Sequence, residues 1–117
     1  MAKRSTYVSA LSPEYALLGF LEQGATHGYD LHRRLLFHLG QIWHISQSQL
    51  YNILKRLEKR GDIQGEQQEQ PGLPERRVFR LTEQGRQRYE AWLTAPSAPS
   101  VRLLRVEFTT RLFFTAR

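Results

Sequence analysis

Lys55, Arg56, Lys59 and Arg60 fall within one six-residue span of the stretch ISQSQLYNILKRLEKRGDI, which runs from Ile45 to Ile63. Ahead of them stand Gln47, Ser48, Tyr51 and Asn52. Cations neutralise phosphates, while amides and hydroxyls match the donor and acceptor pattern of base edges. Gln and Asn can each make two hydrogen bonds to adenine, and Tyr can reach a phosphate or a thymine methyl. The expectation is therefore double-stranded DNA binding, with Gln47, Ser48, Tyr51 and Asn52 as readers. Lys55, Arg56 and Lys59 are expected to hold phosphates. The competing reading is a solvated helix face, which most charge runs are. It is disfavoured because the exposed face is almost free of acids and Glu58 sits to one side.

A helix must present these residues. Ser46 and Gln49 have the S-x-x-Q spacing of a capping box, and Ile45 with Leu50 that of a hydrophobic staple. Leu50, Ile53, Leu54 and Leu57 form one apolar stripe, and Gly61 supplies the stop. At about 100° per residue the opposite face carries Ser48, Asn52, Lys55 and Lys59, with Tyr51 and Arg56 flanking it. The amides at Ser46–Gln49 are candidates for a phosphate as well.

Two helices precede it. Ser12 followed by Pro13 predicts a cap and a first helical turn; Leu17, Leu18, Phe20 and Leu21 follow, and Gly24 ends the run. The second starts near Thr26–Gly28, carries Leu31, Leu35 and Leu39, and stops at Gly40. After Gly61 the period changes. DIQGEQQEQ and ERRVFRLT read as two strands joined by PGLP, with Phe79 and Leu81 on the core side. Thr82 caps a helix with Tyr89, Trp92 and Leu93. Three helices followed by a hairpin predict a winged helix-turn-helix, a mainly α fold with a small β-hairpin. On the hairpin, Arg76 or Arg77 is expected at the minor groove or backbone, against the alternative of cross-strand pairs with Glu66 and Glu69.

Three segments, ALLGFLEQGATHGYDLHRRL, SQLYNILKRLEKRGDI and RRVFRLTEQGRQRYEAWL, resemble the PadR family of bacterial transcriptional regulators. The shared features are HGY opening the second helix, LY..L.RLE..G in the third, and F-x-LT-x-x-G after the wing. The resemblance covers Ala16 to Leu93 and implies a DNA-binding winged helix, dimeric and commonly a repressor. It departs at Asn52, where family members commonly have proline. Only VEFTTRLFF resembles the opening of the family's C-terminal coiled-coil region. Either the sequence is a piece of a longer family member, or it is similar to short PadR-like proteins, which include cyanobacterial clock-associated regulators.

The remaining features bound the alternatives. The 117 residues fit one winged domain at 12–94, with an arm at 1–11 and a C-terminal helix at 100–117 beyond the TAPSAPS linker. Val101, Leu104, Phe108 and Leu112 make one stripe of that helix, and Leu103, Val106, Thr110 and Phe113 another, almost opposite. A helix apolar on two sides predicts a homodimer, with Leu104, Phe108 and Leu112 at the interface and a palindromic operator. A net charge of +6 fits a polyanion partner. No apolar run suits a signal peptide or a bilayer span, so no membrane role and a cytoplasmic, nucleoid-associated location are expected.

With no cysteine, and with His27, His32, His38 and His44 five or six residues apart, no metal site is expected; His27 reads as a helix cap. No cofactor is implied. Without G-x-S-x-G, a P-loop or H-E-x-x-H, and with Glu14 and Glu22 scattered on helix surfaces, no enzyme is expected. Trp43 and Trp92 read as packing residues, although a small aromatic effector at the dimer interface remains open. So does a winged helix used for protein–protein interaction.

Overall fold

The computed structural model describes residues 13–95 and 109–116. The arm, Ser12, the linker from 96, Ser100, Val101, Leu103, Leu104, Val106 and Phe108 lie outside the described residues. Helix α1 (Glu14–Glu22) is the central post: Ala16, Leu17, Leu18, Phe20 and Leu21 are all buried. Its sequence is apolar around most of its circumference, so every side needs a neighbour. It begins one residue later than expected, with Pro13 itself in the cap position and no side-chain cap.

A strand that the sequence reading lacked follows. β1 (Thr26–His27) pairs with the second strand of the wing, Thr26 opposite Phe79 and His27 opposite Val78. Two residues are too few to show a period of two, so only the tertiary pairing reveals it. α2 (Gly28–Leu39) then starts on His27, whose Nδ1 accepts the Asp30 amide at 3.2 Å, as expected of a cap. Burial opposes charge on Asp30, but bonds from Thr26 and Arg33, both 2.9 Å, outweigh it and hold its carboxyl below the usual value. In the turn after α2, Trp43 is buried and the His32 ring bonds the Ile45 carbonyl at 2.8 Å.

α3 (Gln47–Arg60) has the predicted capping box: the Ser46 hydroxyl accepts the Gln49 amide at 3.1 Å, and the Gln49 side chain accepts the Ser46 amide at 2.8 Å. Leu50, Ile53, Leu54 and Leu57 are buried. Gly61 ends the helix at φ 92°, a left-handed conformation that suits glycine.

β2 (Ile63–Gln70) and β3 (Leu73–Leu81) form the wing, and the sheet order is β1-β3-β2, antiparallel. The turn is tighter than PGLP suggests: only Pro71 and Gly72 (φ 73°) lie outside the strands, and Leu73 and Pro74 belong to β3. Proline then glycine at positive φ is type II turn chemistry. Phe79 is buried and Leu81 packs beside it, as expected. α4 (Glu83–Thr94) is capped by Thr82, whose hydroxyl accepts the Gly85 amide at 3.0 Å. It lays Tyr89 and Trp92 on the core, where Trp92 stacks on Tyr15 with ring centres 5.0 Å apart.

Residues 109–115 are helical. Phe114 packs edge-on to Phe20, 5.2 Å between ring centres, and lies so close to Gly19 that a β-carbon there would be 2.5 Å from its ring. Thr110 is buried too, Phe113 is half-buried, and Leu112 is 55% exposed.

Candidate nucleic-acid interface

Around its axis, α3 has four sides. The inner one is the leucine and isoleucine stripe. The outermost carries Ser48, Asn52, Lys55 and Lys59, all exposed. Lys55 and Lys59 make no ion pair with any described residue. The two flanks are built for attachment.

On the wing side, Glu58 accepts a hydrogen bond from Arg77 at 2.5 Å, and the Arg77 guanidinium lies 5.9 Å from the centre of the Phe79 ring. Tyr51, 38% exposed, lies across the start of α2: a β-carbon at Gly28 would be 2.6 Å from its ring. That close approach is the physical content of the glycine in HGY, and it gives Tyr51 a packing role beside its exposed edge.

On the other flank, Arg56 and Arg60 reach Glu14 at 3.3 and 3.2 Å. Glu14 is 2% exposed, which corrects its reading as a helix-surface carboxylate without a partner. Arg88 joins it at 2.6 Å and donates with its other nitrogen to Asp62, fully buried, also at 2.6 Å. Gln84 completes the set, bonding Asp62 at 3.0 Å and the Arg60 carbonyl at 2.9 Å. Burial disfavours charge on Arg88, but its bonds to Glu14 and Asp62 dominate and raise its pKa. The signal for this cluster was in the sequence: a helix apolar all round makes any carboxylate in its first turn a buried one, which must find cations.

The expected site residues thus divide. Gln47, Ser48, Asn52, Lys55 and Lys59 are exposed along one side of α3. Of the amides at its start, the capping box consumes those of Ser46 and Gln49, leaving those of Gln47 and Ser48 without an intrahelical carbonyl. Arg56 and Arg77 are tied to Glu14 and Glu58 instead of pointing freely outward. Arg76, on the opposite face of the wing from Arg77, donates to Gln68 across the strands at 2.8 Å. Arg80 makes the cross-strand carboxylate pair, 3.7 Å from Glu66. Among the described residues no helix is long and apolar enough to cross a membrane.

Helices α1 to α3 with a hairpin wing folded beside the third define a winged helix-turn-helix. The model of the transcriptional regulator PadR-like family matches residues 17–91, and the chain belongs to that family. The negative transcriptional regulator PadR of Bacillus subtilis (strain 168) is 33% identical over 101 residues, covering 86% of this chain and 55% of that protein. The crystal structure of Bacillus subtilis PadR in complex with operator DNA superposes with a TM-score of 0.66 at 32% identity, over 88% of this chain and 58% of that one. A crystal structure of the same regulator in complex with p-coumaric acid gives 0.62 at 30% identity, over 89% and 56%. The chain therefore spans little more than half the length of these relatives.

Proposed function

We propose that this protein is a sequence-specific DNA-binding transcriptional regulator, a repressor acting as a homodimer on a palindromic operator. The observation that carries the reading is the outer face of α3, where Ser48, Asn52, Lys55 and Lys59 stand exposed between two anchored flanks. In this reading α3 enters the major groove. Gln47, Ser48, Asn52 and the exposed edge of Tyr51 meet base edges, Lys55 and Lys59 hold phosphates, and Arg76 on the wing reaches the backbone. Arg56 and Arg77 hold the helix and the wing in place. The similar regulator crystallised with operator DNA supports this use of the fold. The protein acts in the cytoplasm on nucleoid DNA and is not an enzyme.

The winged domain spans 12–94, and the helix at 100–117 makes the dimer through Leu104, Phe108 and Leu112. Exposed Leu112 opposite buried Phe114 supports a helix with a second face to cover. Changing Leu104 and Phe108 to polar residues should give a monomer in sedimentation that keeps weak non-specific DNA binding; a wild-type monomer at micromolar concentration would overturn the dimer. A salt titration on duplex DNA against scrambled competitor tests the DNA reading itself. A specificity ratio well above one is expected, whereas a docking module for an acidic protein would give none.

The p-coumaric acid complex of the similar regulator favours one addition, an aromatic effector that shifts DNA affinity. Trp43 and Trp92 are buried packing residues whose fluorescence would report such binding.

A further inference from the structure

The four cations at the end of α3 are two pairs with different surroundings. Lys55 and Lys59, one turn apart, face outward and make no ion pair with a described residue. Arg56 and Arg60, also one turn apart, converge with Arg88 on the buried carboxylate of Glu14. Yet Arg56 and Arg60 are not sequestered by the fold, since their side chains are 52% and 39% exposed. What holds their charged ends is chiefly Glu14, which lies 42 and 46 residues away in sequence, with Asp62 a more distant second partner of Arg60 at 3.9 Å.

Arginine forks bind phosphate in two-pronged fashion and do so on any sequence. Two untethered arginines on the flank of a recognition helix would add contacts to every duplex alike, raising non-specific binding without aiding base reading. A buried carboxylate, in turn, holds its cations firmly because losing them leaves it uncompensated.

We infer that Glu14 is a specificity-determining residue: it withholds Arg56 and Arg60 from the DNA backbone, so that Lys55 and Lys59 carry the phosphate contacts of this helix. The inference rests on the DNA-binding reading above, and the experiment separates the two. Affinity for a short random-sequence duplex is measured across salt concentration for Lys55→Ala, Lys59→Ala, Arg56→Ala and Glu14→Gln. Each lysine variant should flatten the log–log salt slope by about 0.9, the value of one lost phosphate contact. Arg56→Ala should leave the salt slope at the wild-type level, because the slope counts phosphate contacts. Glu14→Gln should steepen the slope by about one to two contacts' worth and tighten non-specific binding.

A slope loss in Arg56→Ala equal to that of the lysine variants overturns the inference. Lysine variants that bind like wild type overturn the DNA reading, and the inference with it. Should Glu14→Gln fail to fold, the arginine comparison decides alone, because Arg56→Ala leaves Glu14 with Arg60 and Arg88.

Discussion

Arg77 of the wing donates to Glu58 of the third helix, which fastens the hairpin to the element it must work beside. The two side chains are 39% and 31% exposed, so solvent screens much of their attraction. In a double-mutant cycle with Arg77→Ala and Glu58→Ala, denaturant unfolding should give a coupling of about 0.5–1 kcal/mol. A coupling indistinguishable from zero would mean that the wing is set by the β1–β3–β2 ladder alone.

The Glu14 cluster predicts an ordering of stabilities. Arg88 holds both buried carboxylates at 2.6 Å, whereas Arg60 stands 3.2 Å from Glu14 and 3.9 Å from Asp62, so the loss of Arg88 strips each carboxylate of its nearest described cation. Arg88→Ala should cost about 3–5 kcal/mol, the range for breaking a buried ion pair. Arg56→Ala, at the exposed edge, should cost about 1 kcal/mol or less. Chemical denaturation checks both, and equal losses would contradict the central place given to Arg88.

Gly85 is the glycine of the LT-x-x-G motif, and its reason is steric. A β-carbon there would lie 2.0 Å from the Asp62 carbonyl oxygen, which also accepts the Thr82 amide at 3.1 Å. Because the obstacle is backbone, no side-chain rotation relieves it. Gly85→Ala should destabilise by about 2 kcal/mol or more, read as a fall in the denaturation midpoint. An unchanged midpoint would show that α4 shifts freely against the start of the wing.

Tyr89 gives a pH signature. Burial, then the nearby Glu22 and Glu90 carboxylates, push its hydroxyl up to about 12. The unfolded chain ionises near pH 10, so the contribution is complete below about 10 and is lost as pH rises toward 12. Tyr89→Phe should match wild type at neutral pH and lose less stability between 10 and 12. Parallel stability curves through that window would contradict the assignment.

Much of this was legible because it is local. The capping box of Ser46 and Gln49, the stripe from Leu50 to Leu57, the His27 cap and the Thr82 cap all follow from spacing within one or two turns. Local signals placed Arg56 and Lys59 on nearly the same face. What separates them is Glu14, and no window of sequence contains both partners. The same holds for Arg77 and Glu58, and for β1, whose two residues pair with Phe79 and Val78 some fifty positions on.

The central claim is that the outer face of α3 reads DNA. The most direct test selects duplexes from a random pool with the full chain and with Asn52→Ala. The wild-type protein should enrich a palindrome whose half-sites lie about one helical turn apart, roughly 34 Å. Asn52→Ala should lose preference at one position per half-site, at a cost of about 1–3 kcal/mol there, while non-specific affinity persists. A wild-type pool without an enriched sequence, or a variant that selects the same sequence just as sharply, would contradict the account.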